Sequence, residues 1–322
     1  MSIQSEINRI KAAAAAIAAS ISRKGVTVPD GTKLDGMAAL VDSIQSGGGS
    51  GGDDFEIVDA SYLFNYGARE DIIDKLLPHV KRPTNMSYMF NGCKNITELD
   101  VSGIDTSGVT DMDSLFSGCK ALTSIDVSKF DTSNVTIMGS MFQACRALAS
   151  IDVSKFDTSN VTSMSYMFQS MQAVKVIDVS NFDTAKVSNM SGIFDYCSEL
   201  EEILGFSACY GSGMQIDFPR GSRYGATYHL RRLTFRTDLP DGQYAIRSAI
   251  NIGYCSFERS GIIEMFGTLP DISSIGLSAS FKKITITKNP CVTGKLADGT
   301  ACDTITDADR AIATTKGWTL VE

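Results

Sequence analysis

Residues 128–136 read SKFDTSNVT, and residues 154–162 read SKFDTSNVT again. A looser version, SNFDTAKVS, stands at 180–188, and SGIDTSGVT stands at 102–110. The copying extends around these stretches. Met86, Met112, Met138, Met164 and Met190 are 26 residues apart, as are Phe90, Phe116, Phe142, Phe168 and Phe194, and as are Leu99, Ile125, Ile151, Ile177 and Ile203. A fixed period of this length marks stacked like units, none of which can bury its apolar faces alone. One further copy upstream is eroded. Tyr62 and Phe64 precede Tyr88 and Phe90 by 26, but Gly67 replaces the cysteine, as suits an end copy whose outer face meets water.

One copy, 138–163, shows what the unit is expected to be. Met138, Met141, Phe142 and Cys145 fall at i, i+3, i+4 and i+7, an apolar stripe at helical spacing. SIDVS at 150–154 alternates, with Ile151 and Val153 on one face and Asp152 and Ser154 on the other. Phe156 and Val161 return to the interior. The expected turn of the coil is therefore helix, strand and loop, with the strands in a parallel ladder. This predicts an α/β solenoid, a right-handed coil with a parallel sheet.

Two aspartate columns run through the copies. Asp105, Asp131, Asp157 and Asp183 each precede threonine, a pattern suited to a side-chain-to-backbone turn. The alternative is a calcium ladder, but one carboxylate per copy is thin for an ion that takes six to eight oxygens. Asp100, Asp126, Asp152 and Asp178 are expected on the solvent face of the strands, where like charges repel. That column serves either solubility or a ligand. Cys93, Cys119, Cys145 and Cys197 form an inward column in which Met171 takes one place, so packing explains it better than metal ligation. Cys291 and Cys302 flank a Gly-containing loop, where a disulfide is geometrically possible.

Upstream of the array, Ile3, Ile7, Ile10, Ala14, Ile17 and Ile21 are spaced alternately by four and three. Such a seam faces a partner helix, and Ile at both seam positions favours three or more strands. The segment 1–45 is expected to be α-helical and to trimerise, unless its short helix packs on its own chain. Leu34, Met37, Leu40, Val41 and Ile44 continue at helical spacing. SGGGSGG at 46–52 then reads as a flexible linker, 46–53, before an array spanning 54–206.

Downstream, 207–322 loses the strict period but keeps alternating element types, as irregular solenoid turns closed by a cap. HLRRLTFR, AINIGYCSF and KKITITK read as strands, and SGIIEMFGTLP as a helix placing Ile262, Ile263, Phe266 and Leu269 on one side. In TDADRAIATTKGWTLVE, Thr306 is expected to cap a helix, Asp307 and Asp309 to favour its positive end, Lys316 its negative end, and Gly317 to stop it.

The 322 residues carry a net charge of −8. The first 45 residues hold five Lys/Arg against four Asp/Glu, so the acidity belongs to the body and argues against nucleic acid as a partner. No run of 18 apolar residues exists, so no membrane insertion is expected. AAAAAIAAS at 12–20 imitates a signal-peptide core, but Glu6 lies upstream beside Arg9 and Lys11, and alanine is weakly hydrophobic. The chain is expected to be made in the cytoplasm with its N-terminus intact.

One basic and aromatic cluster interrupts this acidic body: Arg220, Arg223, Tyr224, Tyr228, His229 and Arg231, with Arg232 and Arg236 behind them. It is either a solvated loop or a site for an anionic or sugar ligand. The chain has only His79 and His229, and it lacks GxSxG, HExxH and P-loop patterns. No catalytic residue, cofactor or metal is expected. Function is expected instead where the copies differ, as at Ser140, Tyr166 and Lys175, and in the irregular end.

CKALTSIDVSKFDTSNVTIMGSMF at 119–142 resembles the BspA-like leucine-rich-repeat family of bacterial surface proteins, and the likeness covers 60–206. The segment 2–45 looks like the start of tail-fibre and baseplate-associated proteins of phages of Gram-positive hosts. TITDADRAIATTKGWTLVE at 304–322 is similar to endings seen in prophage tail regions. Together the resemblances imply a phage tail fibre or receptor-binding protein. Its partners would be itself, as a homotrimer, tail or baseplate proteins, and a host surface glycan or protein; it would be assembled in the host cytoplasm into the virion tail. The other implied reading is a bacterial adhesin with the same repeats, located at the cell surface.

Overall fold

The computed structural model describes residues 77–207 without a break. Outside them it describes 44–46, 55–57, 60–65, 73, 216–217, 230–235, 250–251, 257–269, 271, 273, 283–286, 290–293, 301 and 303–321. The heptad seam from Ile3 to Ile21 lies outside the described residues. So do Cys302, hence the Cys291–Cys302 pairing, and Arg220, Arg223, Tyr224, Tyr228 and His229.

Between 84 and 206 each copy lies parallel against the next. The N–H groups of Met112, Ser114, Phe116 and Gly118 donate to the carbonyls of Ile137, Gly139, Met141 and Gln143 one copy on, at 2.7–3.0 Å. The intervening Leu115, Ser117 and Cys119 donate back three residues, to Met112, Ser114 and Phe116. The same two-way pattern recurs from Met138 to Cys145. Elsewhere in each copy the direction reverses: Thr136 N–H donates to Thr110 and Thr162 N–H to Thr136, each in the preceding copy.

This arrangement corrects the expected helix. Residues 138–145 form a chain of turns, with Ser140 at φ 51° and Ala144 at φ 58° in the left-handed region. A helix would spend its N–H groups within itself, four residues back. Here alternate N–H groups turn outward to the neighbouring copy. The apolar spacing is the same in both cases, because spacing reports which side chains face inward and not where the backbone bonds go.

The interior is a column of rings. Phe64, Phe90, Phe116, Phe142, Phe168 and Phe194 stack with centroids 5.2–6.0 Å apart and planes within 21° of parallel. Met86, Met112, Met138, Met164 and Met190 are buried beside them. Each large side chain so placed contributes roughly 1.5–3 kcal/mol. Val153 and Phe156 are buried, Ile151 is half-buried, and Asp152 and Ser154 are exposed, as the alternation requires.

Within the array this alternating segment becomes a strand at 176–178 and 202–206, where it gains a paired neighbour. β1 (Ile44–Ser46) pairs antiparallel with β2 (Phe55–Ile57), so Ile44 ends in a strand and not in the helix expected of it. β3 (Val176–Asp178), β4 (Glu202–Phe206) and β6 (Arg232–Phe235) form a parallel sheet that pairs Ile177 with Ile203 and Ile203 with Leu233. Within β4 the register shifts at Gly205, φ 64°, where a Cβ would lie 2.3 Å from the Ser180 Cα. Only glycine allows the strands so close there.

A second parallel sheet contains β5 (Ile216–Asp217), β7 (Ile250–Asn251), β8 (Lys283–Thr285) and β9 (Thr319–Val321), in that order. Its register pairs Ile216 with Ile250, Ile250 with Ile284, and Ile284 with Leu320. The stacking therefore continues beyond 206 with steps of 34, 34 and 36 residues. Helix α1 (Arg259–Thr268) accounts for part of the added length. It lies against β6, since a Cβ on Gly261 would sit 2.4 Å from the Arg231 carbonyl oxygen. Ile262, Met265, Phe266 and Leu269 are buried, while Ile263 is only partly so. A single turn, α2 (Pro290–Thr293), follows.

Helix α3 (Asp307–Thr315) starts at Thr306, whose hydroxyl accepts from the Asp309 N–H while the Asp309 carboxylate accepts from the Thr306 N–H. Arg259 adds a 2.8 Å ion pair to Asp309, and its guanidinium, with the Thr306 N–H, holds that carboxyl well below the usual range. Lys316 differs from expectation. It follows the last residue of α3, but its ammonium donates to the Phe266, Gly267 and Leu269 carbonyls at 3.2, 2.6 and 2.9 Å, closing the end of α1. Gly317, at φ 86°, turns the chain, and Trp318 is buried before β9.

Candidate functional site

Most polar groups repeated in the array are consumed by it. The carboxylates of Asp105, Asp131 and Asp157 accept from the N–H groups of Ser107, Ser133 and Ser159 at 2.9–3.1 Å, and Asp183 accepts from Ala185. Asp100, Asp126, Asp152 and Asp178 do the same with Ser102, Ser128, Ser154 and Ser180, each at 2.9 Å. The hydroxyls of these serines together with their N–H groups hold the carboxyls of Asp100, Asp105, Asp126, Asp152 and Asp157 below the usual range. Both columns thus make local turns.

The threonine column was missed by the sequence reading. Thr106, Thr132 and Thr158 are 1% exposed. The Thr132 hydroxyl accepts from the Asp157 N–H at 2.8 Å and donates to the Asp157 carbonyl at 2.9 Å, one copy on. Thr106 does this with Asp131, and Thr158 with Asp183. The repeated Asp-Thr pair was the signal. The carboxylate turns its own loop, and the hydroxyl fastens the next.

The cysteines likewise join copies. The Cys93, Cys119, Cys145 and Cys197 thiols donate to the carbonyls of Phe64, Phe90, Phe116 and Phe168 at 3.0–3.2 Å. Burial pushes Cys145 and Cys197 up to about 12, so neither carries a reactive thiolate.

Of the predicted basic cluster, Arg231 is described, and it pairs with Glu201 at 2.7 Å. Arg232 forks onto Glu264 and also reaches Glu202, tying β6 to α1 and β4. Its partners raise its pKa further. Lys175, one of the positions where copies differ, pairs with Glu201 at 2.9 Å.

What varies outwardly is the face of the turn chain. One column holds Tyr62, Tyr88, Ser114, Ser140, Tyr166 and Gly192, all in the left-handed region. Tyr62 and Tyr88 stack at 4.7 Å with planes 5° apart. Burial, and a hydrogen bond to the Asp113 carboxylate, push the Tyr88 phenol up to about 12. Tyr166 is 40% exposed and lies over Gly192, where a Cβ would come within 2.6 Å of its ring. Tyr196, 46% exposed, stands in the neighbouring column after Gly118, Ala144 and Ser170. Gln143 donates to Gln169 and accepts from Ser117 beside this strip. Among the described residues no group of three His, Cys, Asp or Glu side chains is placed to hold a metal ion.

No curated protein and no solved structure matches the chain. The repeat array itself, over residues 84–206, matches the family described as "Mycoplasma protein of unknown function, DUF285".

Proposed function

We propose that this chain is a non-catalytic surface-recognition protein: the receptor-binding part of a phage tail, with an α/β, leucine-rich-repeat-like solenoid as its recognition body. The segment 1–45 attaches it to tail or baseplate proteins and trimerises it through Ile3, Ile7, Ile10, Ala14, Ile17 and Ile21. The observation that carries the recognition reading is the closure of the repeated polar groups. Aspartates, threonines and thiols are spent between and within copies, which leaves the exposed, non-repeating side chains for a partner. The resemblance of the two ends of the chain to phage tail proteins supports the tail assignment.

The second reading is a BspA-like bacterial surface protein, favoured by the family match over 84–206. The tail reading expects an intact N-terminus by mass spectrometry and a trimer by light scattering; the surface-protein reading expects processing near residue 20 and a monomer. Both expect the labelled full chain to bind intact host cells. Absence of binding to every bacterial surface tested sinks the recognition reading. Because Arg231 is paired with Glu201, the basic cluster is tested by Arg223→Ala with Tyr224→Ala, which should weaken cell binding in a folded protein.

A further inference from the structure

We propose that the turn face of the array, between Tyr88 and Tyr166, is a binding site for an uncharged polysaccharide, a ligand class that rests on the surface-recognition reading above. Three features of this face select that class.

The first is the backbone. Its N–H groups and carbonyls are used from copy to copy along the whole face, from Tyr62 with Ser87 to Ser170 with Asp195. An extended peptide adds to a sheet through unpaired backbone groups, and this face offers no such row.

The second is charge. The residues that build the face, 85–92, 111–118, 137–144, 163–170 and 189–196, include Asp111, Asp113 and Asp195 and not one Lys or Arg. A phosphate-bearing or carboxylate-bearing polymer would meet like charge on these residues, the next exposed cations in sequence, Lys94, Lys120 and Arg146, coming two residues after the segments end. A neutral polymer carries no such penalty, and carboxylate and amide oxygens accept hydrogen bonds from its hydroxyls.

The third is relief. Aromatic rings stand at both ends: Tyr62 stacks on Tyr88 to make one platform, and the exposed ring of Tyr166 makes the other. The copies between them carry only Ser114 and Ser140 in one column and Gly118 and Ala144 in the other. Tyr88 and Tyr166 are three copies apart, about 14 Å at a strand spacing of about 4.8 Å. The electron-rich face of a tyrosine ring attracts the positively polarised C–H face of a sugar. The low ground between the platforms lets a chain of sugars approach the backbone, with Asp113, Ser140 and Gln143 within its reach. Asp113 itself lies over Gly139, where a Cβ would come within 2.6 Å of its carboxylate oxygen.

The test is affinity electrophoresis of the full chain in gels cast with a purified β-1,4-glucan, a mannan or a rhamnan, with polyglutamate as the polyanion. At least one neutral polymer should retard the protein, and polyglutamate should not. Tyr88→Ser with Tyr166→Ser is the matched variant, because Ser114 and Ser140 already occupy this column at φ 54° and 51°. It should weaken retardation by about threefold to tenfold, with an unchanged circular dichroism spectrum. Ser140→Tyr, which raises the low ground, should weaken it as well. The proposal is overturned if no neutral polymer retards the wild-type protein, if polyglutamate alone does, or if the folded double variant is retarded as before. Host-cell binding by the full chain separates the two readings. Cell binding that survives in the double variant leaves surface recognition standing and removes this site.

Discussion

Replacing Thr132 by valine isolates the hydroxyl that fastens one copy to the next. Valine keeps the shape and removes only the polar function. In the native protein this hydroxyl satisfies both the N–H and the carbonyl of Asp157, at 2.8 and 2.9 Å, from a side chain 1% exposed. The Asp157 side chain is exposed, so its carbonyl can recruit water, but its N–H points at the buried methyl that replaces the hydroxyl. Leaving such a donor unpaired costs about 1–3 kcal/mol, and the lost acceptor contact adds about 0.5–1.5 kcal/mol. The expected destabilisation is about 1.5–4.5 kcal/mol. Thr132→Ser keeps the hydroxyl and removes one methyl, which costs about 1 kcal/mol. Urea unfolding followed by circular dichroism measures both. Thr106→Val and Thr158→Val should give similar values, because the contacts are repeated between neighbours. The reasoning fails if the valine variant is no less stable than the serine variant, or if the three valine variants differ as widely as unrelated sites would.

Other outcomes follow from the same geometry. Ala144 occupies, at φ 58°, the position that Gly118 occupies one copy earlier; Ala144→Gly relieves left-handed strain and should raise stability by roughly 0.5–1 kcal/mol in the same urea assay, after glycine's own entropic cost. Iodoacetamide labelling at pH 8, mapped by mass spectrometry, should leave Cys93, Cys119, Cys145 and Cys197 unmodified until the protein unfolds, because all four are buried; labelling at mixing speed would contradict their placement. Asp100, Asp105, Asp126, Asp152 and Asp157 are held below their ordinary values by the hydroxyl and N–H of the serine two residues on. Their stabilising contribution is therefore present above the unfolded aspartate value of about 3.9 and declines as pH falls through the lower folded values. Thermal melts should stay level down to about pH 4 and drop below it, and a melting temperature that rises on acidification would refute this.

Met, Phe and Ile at 26-residue intervals determined, without coordinates, that like units stack and which side chains face inward, because burial alone sets that pattern. The aspartate turns were equally legible, since an Asp accepting from the N–H two residues on is a local event. The Thr306 cap and the strands at 232–235 and 283–285 were local for the same reason. The unit's backbone was not legible. Met138, Met141, Phe142 and Cys145 carry helical spacing, yet their chain turns at Ser140 and Ala144 to bond with the next copy, and intercopy hydrogen bonds leave no trace in one copy's periodicity. The stacking steps of 34 and 36 beyond 206 were hidden because added helix and loop residues dilute the apolar repeat. Arg231, Arg232 and Lys316 read from sequence as free charges or as a cap for their own helix. Only the fold brings them to Glu201, to Glu264 and to the end of α1, since ion pairs between distant segments depend on where the chain returns. The columns of Tyr62, Tyr88, Ser140 and Tyr166 were countable in the sequence. That they stand outward, over a backbone already paired and beside the Asp113 carboxylate, was decided by the tertiary structure.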